Sequence, residues 1–215
     1  MIKRTTLAKL KNSEERWDGV KNTREYILDV ALKLFLQKSF KEVTIKEIVE
    51  KTGLSKGAFY HYFTSKEQLF LELVNDVFSS VLNIPYDQFN KNSLYHFYID
   101  YVNYYTENLK QRNGEGNAPS FNYISLIFDA IKLFPNFQER LQKSKEIQLS
   151  NWKNIIRTAR EKGEINSPMG DEQIANMFIN SSSGVEMQSI FRGNSEDIGE
   201  TLISLWDSFY DELKS

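Results

Sequence analysis

The sequence predicts an all-α protein, with a head of short helices followed by a body of long ones, and three observations lead to this prediction. Apolar residues recur at the three-to-four-residue spacing of a helix along nearly all of the 215 residues. Alternation of apolar and polar residues between turn residues, which marks half-buried strands, is scarce. The composition, 40% apolar and 26% charged with 4 Pro, is that of a globular chain with enough apolar side chains for a core. We expect about nine helices.

The residue inventory excludes several kinds of chemistry. Without cysteine the chain forms no disulfide, no thiolate metal site and no cysteine nucleophile. Its two histidines, His61 and His96, are too few for a His-rich metal site, so we expect no metal and no cofactor. No stretch approaches the roughly 18 apolar residues of a membrane span. We therefore expect a soluble, cytoplasmic protein with no membrane partner.

Charge divides the chain into a basic head and an acidic body. Residues 1–66 hold 14 Lys/Arg and 8 Asp/Glu, whereas residues 67–215 hold 13 and 21. A basic head on an acidic body suggests that the head faces a polyanion, although a basic segment is also typical of a solvated tail.

The head contains signals for three short helices. Residues 1–22 are polar and charged and are predicted to form an N-terminal arm. Thr23 caps a first helix that ends near residues 38–40, and Thr44 caps a second one. Gly53 then supplies a left-handed helix end and Ser55 caps a third helix. Because two short helices joined by a tight glycine turn make a helix-turn-helix, residues 23–66 are predicted to be a DNA-binding domain.

The third helix carries the residue types that reading a major groove requires. Its first turn needs small residues or donors with reach, and Lys56 and Gly57 meet that need. The aromatic residues that follow have polar tips that can reach phosphates or thymine methyl groups. A cation in the first turn of the fourth helix is unfavourable unless an anion lies beside it, which indicates a phosphate near Lys66. The predicted DNA-contacting residues are Thr44, Ser55, Lys56, Gly57, Tyr60, His61, Tyr62 and Lys66. Taken singly, each also suits a small helical core or a solvated surface.

Residues 23–70 resemble the DNA-binding domain of TetR-family transcriptional regulators. The resemblance lies in the Ala31 to Phe35 stripe, in Thr44, in the run SKGAFYHYF and in the start SKEQL of the fourth helix. It implies a dimeric, all-helical, ligand-responsive repressor with Thr44, Ser55, Tyr62 and Lys66 on phosphates. It also places Lys56, Gly57 and Tyr60 nearest the bases. Where many relatives have Tyr-Tyr-His-Phe, this chain has Tyr-His-Tyr-Phe at residues 60–63.

The body, residues 67–215, is predicted to be a helical ligand-binding and dimerisation domain. Its helices are expected at 65–82, 93–112, 121–134, 137–162, 171–191 and 196–213, the last with Ser195 as its cap. Pro135 is expected to end the helix over 121–134. The fourth helix is expected to couple the ligand site to the head.

An aromatic-rich stretch indicates where a small molecule would bind. Between Tyr86 and Phe128 lie 11 of the 29 aromatic residues, and inward tyrosines need partners for their hydroxyl groups. The pocket candidates are Tyr98, Tyr101, Tyr105, Phe121, Gln148 and Trp152. Core filling is the alternative for each of them. We expect a small apolar or amphipathic effector, neutral or anionic.

The last two helices are amphipathic and suit a four-helix dimer interface. The interface candidates are Phe178, Ser181, Val185, Leu202, Leu205 and Phe209. Completion of the protomer's own core is the alternative for this face.

The function these patterns favour is a ligand-responsive regulator, a repressor, that binds a palindromic DNA operator as a homodimer. The alternative is a DNA-bound architectural or partner-recruiting protein without an effector. An enzyme is not expected, because no nucleophile–base spacing or phosphate-binding loop is present and His96 falls on an outward helix face.

Overall fold

The computed structural model describes residues 23–113, 120–192 and 197–214, and within these ranges every regular element is a helix. The helices are α1 (Thr23–Phe35), α2 (Ile45–Thr52), α3 (Lys56–Tyr62), α4 (Lys66–Val77), α5 (Ser79–Leu82), α6 (Leu94–Asn113), α7 (Ser120–Leu133), α8 (Pro135–Glu161), α9 (Asp171–Arg192) and α10 (Ile198–Leu213), with a 3₁₀ turn at Tyr86–Gln88. The predicted all-α class is confirmed. None of the described helices has the length and apolar character that crossing a bilayer requires.

The chain forms two compact units. Of the described residues, the first unit takes in 23–80, 111–113 and 120–139, and the second takes in 81–110, 140–192 and 197–214. Helix α4 packs against α1 and α7, so these three helices belong to the first unit.

Phenylalanine rings hold the first unit together. Phe70 of α4 lies 4.8 Å from Phe35 of α1 and 6.2 Å from Phe134, which directly follows α7, measured between ring centroids. Phe78, at the end of α4, lies 6.4 Å from Phe137 of α8. Phe35, Phe70, Phe78 and Phe137 are buried, and the half-buried Phe134 packs against Phe70. Helices α4 and α7 therefore belong to the same core as the head helices.

An aromatic core fills the second unit. Trp152 of α8 lies 4.8 Å from Phe178 of α9 and 5.5 Å from Trp206 of α10, again between ring centroids. All three side chains are almost fully buried. Large rings in edge and stacked contacts account for much of the apolar surface that this unit removes from water.

Several predicted helix boundaries differ from the structure. Phe78 ends α4, so the helix expected over 65–82 is two helices. Pro135 opens α8 instead of ending α7, because the first position of a helix needs no amide hydrogen and suits proline. Asp197 occupies the N-cap position of α10. The predicted cap, Ser195, lies outside the described residues.

Candidate functional site

The second and third helices form a helix-turn-helix whose ends are set by local chemistry. The Thr44 hydroxyl oxygen accepts a hydrogen bond from the Glu47 amide at 3.1 Å, and the Ser55 oxygen accepts one from the Ala58 amide at 3.1 Å. Gly53, between the helices, has φ 68°, which is the left-handed region that favours glycine. The predicted caps and turn are therefore confirmed.

The residues predicted to contact DNA lie mostly on the surface of this motif. Phe59 and Phe63, four residues apart, are buried and anchor α3 to the unit's core. The intervening positions consequently face away from the core. Six of the eight predicted residues are exposed, namely Thr44, Ser55, Lys56, Gly57, Tyr60 and His61, while Tyr62 and Lys66 are half-buried.

The exposed side of α3 presents a cation beside aromatic rings. The Lys56 ammonium lies 6.0 Å from the centroid of the Tyr60 ring, which is 44% exposed. The His61 and Tyr62 rings meet edge to face at 5.0 Å. A cation at the start of a short helix, followed by exposed rings with polar tips, is an arrangement suited to contact with base edges and phosphates. The base and phosphate roles of these residues stay predictions.

Lys66 has a partner within the first unit. Its ammonium donates to the carbonyl oxygens of Phe40 and Val43, at 2.7 Å each, and lies 4.1 Å from the centroid of the Phe40 ring. Burial lowers the pKa of Lys66, with Glu67 opposing the change. The argument that a cation at this position requires a nearby anion is therefore wrong, because two carbonyl dipoles stabilise it. A phosphate contact by Lys66 gains no support from its geometry.

The structure brings most of the pocket candidates together in the second unit, where they are packed core. Tyr98, Tyr101 and Trp152 are buried, and the Tyr101 and Trp152 ring centroids lie 5.5 Å apart. Tyr105 is partly buried against the same cluster, with its ring stacked on Tyr101 at 6.4 Å. The side chain of the sixth candidate, Phe121, lies outside the described residues. This packing matches the core-filling alternative as well as a closed ligand site.

Polar groups are enclosed within this aromatic cluster. The buried Gln148 amide donates to the Tyr101 hydroxyl at 3.2 Å. Burial raises the pKa of Tyr101 to about 12, so its hydroxyl stays protonated at neutral pH. The indole nitrogen of Trp152, one turn beyond Gln148 on α8, is buried without a hydrogen-bond partner in the described part of the chain. A buried donor without an acceptor is unusual and calls for an explanation.

A surface cleft of about 510 Å³ lies elsewhere in the second unit. It is lined by Ser93, Tyr95, His96, Glu164, Asp207, Tyr210, Asp211 and Lys214. None of the five pocket candidates with described side chains lines it. Its carboxylates serve the fold: the Tyr98 hydroxyl donates to Asp207 at 2.5 Å, and Glu164 accepts from the amides of Leu94 and Tyr95.

The predicted interface residues are largely part of the protomer's own core. Phe178 and Leu202 are fully buried, so their assignment to a dimer interface is wrong. Ser181 accepts a hydrogen bond from the Trp206 indole nitrogen at 2.9 Å and so belongs to the inner side of α9. Val185 and Phe209 are half-buried against the core, and Leu205 is 44% exposed. Helical spacing alone could not decide which stripe of each helix faces inward.

Apolar side chains are exposed along another side of α9. Met177, Met187 and Phe191 are 51%, 41% and 79% exposed, and Gly184 lies between the two methionines on the same face. Their spacing of seven, three and four residues places them along one side of the helix. Large exposed apolar side chains in a row are typical of a surface that another molecule covers.

Sequence reading missed two residues whose partners are distant in the chain. The Asp129 carboxylate on α7 accepts a hydrogen bond from the Phe40 amide at 2.8 Å, across 89 residues. Glu164, beyond α8, accepts from the first turn of α6 and from the Tyr210 hydroxyl. No periodicity or spacing signal marks such long-range contacts.

Helices α2 and α3 form a helix-turn-helix in which α3 is exposed, an arrangement typical of DNA-binding proteins. A sequence model described as "Bacterial regulatory proteins, tetR family" matches residues 27–73. Residues 27–73 are therefore similar to the N-terminal domain of TetR-family transcriptional regulators.

The curated relatives match a short part of this chain at higher identity and most of the chain at lower identity. The uncharacterized HTH-type transcriptional regulator YuxN of Bacillus subtilis is 42% identical over 69 residues, 30% of this chain and 24% of that protein. The regulator YfiR of the same organism is 23% identical over 167 residues, 77% of this chain and 78% of that protein. The crystal structure of the MbdR regulator from Azoarcus sp. CIB superposes with a TM-score of 0.61 at 18% identity, covering 85% of this chain and 96% of that one. The last two matches extend the similarity of fold into the body.

Proposed function

We propose that the chain is a ligand-responsive repressor that binds a palindromic DNA operator as a homodimer. The observation that carries this proposal is the exposed side of α3, with Lys56, Gly57 and Tyr60 facing outward on a motif whose other side is buried. A two-fold dimer would present two such helices to two half-sites, which is how helix-turn-helix proteins read palindromes.

The proposal is tested by selecting binding sites from random duplexes and comparing variants on the selected site. Lys56→Ala should lose about 1–3 kcal/mol of binding free energy and relax the preference at one base pair in each half-site. Lys145→Ala removes the same charge from an exposed position of α8 and serves as the control. An unchanged site preference in Lys56→Ala would mean that α3 does not read the bases.

We infer further that the effector enters the aromatic core beside Trp152. The unpartnered indole N–H supplies a donor, and Gln148 and Tyr101 supply polar groups close by. The buried donor would be satisfied by a ligand that carries an acceptor oxygen, so a neutral or anionic compound is favoured over a cation. The rings are in contact, so the bound state must separate them, and its population depends on how much better the ligand binds that state.

Three compounds of the same ring size test this inference by thermal unfolding. Indan-1-one carries an acceptor, indane carries none and 1-aminoindane carries a positive charge. We expect the ketone to raise the unfolding midpoint most, and Trp152→Phe to abolish its advantage over indane, since that variant keeps an aromatic ring and lacks the N–H. If none of the three stabilises the protein, the core is filled and an effector-free architectural or partner-recruiting role is favoured.

A further inference from the structure

The turn between α1 and α2 is held by side chains from two other helices. The Phe40 amide donates to the Asp129 carboxylate of α7 at 2.8 Å, and the carbonyl oxygen of the same residue accepts from Lys66 of α4 at 2.7 Å. Lys66 also binds the Val43 carbonyl oxygen at 2.7 Å. The backbone of this turn is therefore fixed on both sides by charged groups.

The side chain of Phe40 is also buried, and this burial fixes the position of the residue. It is 7% exposed, and its ring lies 6.0 Å from Phe35 and 4.9 Å from Phe70. A backbone amide at such a position must find an acceptor or lose stability, and Asp129 provides a charged one. The position of Phe40 thus depends on the position of α7.

The position of this turn determines the position of α3, the helix predicted to read the DNA bases. Val43 directly precedes Thr44, the cap of α2, and the left-handed Gly53 sets the direction of α3 relative to α2. These are short, locally fixed links, so a displacement of the turn displaces both helices together. Residues that hold the turn consequently hold α3.

We propose that Asp129 is a positioning residue through which α7 sets the placement of the helix-turn-helix. A shift of α7 is transmitted to α2 and α3 through the Phe40 amide, while Lys66 keeps the other side of the turn on α4. Helix α8, which carries Gln148 and Trp152, begins at Pro135, and only Phe134 separates it from the end of α7. The link to DNA binding rests on the function proposed above.

Amide hydrogen exchange tests the contact itself in the full-length protein. We expect the Phe40 amide to exchange at least about tenfold faster in Asp129→Ala, since the variant removes the acceptor that protects it. Asp129→Asn keeps an acceptor oxygen and should retain most of the protection. Glu139→Ala, which removes the same charge from an exposed position of the first unit, should leave the exchange rate unchanged. Unchanged exchange in Asp129→Ala would overturn the proposal.

The effect on the reading helices is measured by distance and by affinity. Because the chain has no cysteine, Lys46→Cys gives one spin-label site per protomer, on the exposed side of α2. In Asp129→Ala we expect a broader distribution of label-to-label distances in the dimer and about tenfold weaker binding to the selected DNA site. Glu139→Ala should show neither change. Loss of thermal stability alone would not broaden the distances within the folded population.

Two further outcomes separate this proposal from the proposed function. If the Phe40 amide is exposed in Asp129→Ala but distances and DNA affinity match the parent protein, Asp129 has only a structural role and the proposal is wrong. If the parent protein gives no label-to-label distance, the homodimer is wrong, and DNA affinity of Asp129→Ala against Glu139→Ala then decides the role of Asp129.

Discussion

At the scale of single residues, the side chain of Asp29 on α1 carries a stability that depends on pH. Burial raises the pKa of its carboxyl group to about 6, and Glu25 and Asp76 add to the increase while Lys33 opposes it. The folded state therefore binds the Asp29 proton more tightly than an unfolded chain does, where the pKa of aspartate is about 3.9. The contribution of Asp29 to the free energy of unfolding therefore falls as the pH rises between these two values.

Replacement of Asp29 by asparagine removes this dependence. One pKa unit corresponds to about 1.4 kcal/mol, but the half-buried carboxyl is screened by solvent, so we expect Asp29→Asn to be about 1 kcal/mol more stable than the parent at pH 7. The two proteins should have equal stability below about pH 4. Urea unfolding between pH 4 and 8 measures the difference, with the exposed Glu50→Gln as the control. A constant difference over this range would contradict the role of Asp29.

The residues that sequence reading placed correctly are those governed by neighbours in the chain. Thr44 and Ser55 cap helices three residues away, and Gly53 adopts the conformation that its own lack of a side chain permits. Lys66 was misread because its partners, Phe40 and Val43, lie 26 and 23 residues earlier. The position of Lys66 in the first turn of α4 does not reveal that folding brings the carbonyl oxygens of Phe40 and Val43 to its ammonium group.

At the scale of secondary-structure elements, Glu164 fixes the start of α6. Its carboxylate accepts hydrogen bonds from the Leu94 and Tyr95 amides at 3.0 and 3.1 Å, and from the Ser93 and Tyr210 hydroxyl groups at 2.9 Å each. Burial by itself raises the pKa of Glu164, but these four donors outweigh it and hold the pKa below its usual range. The acid thereby joins the loop after α8 to α6 and α10.

We expect Glu164→Gln to lower the free energy of unfolding by about 2 kcal/mol at neutral pH, because an amide accepts these bonds more weakly and adds donors of its own. The contribution of a carboxyl group with a lowered pKa is present above its unfolded pKa of about 4.3 and is lost as the pH falls through the folded value. The difference between parent and variant should therefore shrink below pH 4. Denaturant unfolding at pH 3 to 7 tests this, with the exposed Glu161→Gln as control. Equal stability at pH 7 would refute it.

The helix boundaries show which features of an element the sequence contains. Gly163, with φ 69°, lies in the turn after α8, and a glycine that can adopt a left-handed conformation is a local signal for the end of a helix. Pro135 was placed at the end of one helix, yet it begins the next, since proline is compatible with both positions. Period alone predicted that α9 and α10 are amphipathic, but Phe178 and Leu202 face inward because the aromatic core of the second unit takes that side.

At the scale of the whole molecule, we predict that the exposed apolar residues of α9 and α10 form the surface that a second copy of the chain covers. Met177, Met187 and Phe191 lie along one side of α9, and Leu205 of α10 is also exposed. A two-fold interface buries the same stripe on both protomers, and Gly184 between the methionines allows close approach of helices. This set replaces the buried residues that sequence reading assigned to the interface.

A charge on this stripe should separate the protomers and leave each one folded. In Met187→Glu the carboxylate would be buried against the partner without a counter-charge, which we expect to weaken the dimer by about 3 kcal/mol or more, at least a hundredfold in Kd. Phe178→Glu should instead unfold the protein, because its side chain lies inside the core. Sedimentation velocity reports the mass and circular dichroism reports the helix content of each variant. Asn154→Glu, at an exposed position of α8, controls for the added charge.

A helical Met187→Glu monomer should also bind the palindrome poorly, since a single α3 helix captures only one half-site. A Met187→Glu protein that sediments as the parent dimer would place the interface on another surface.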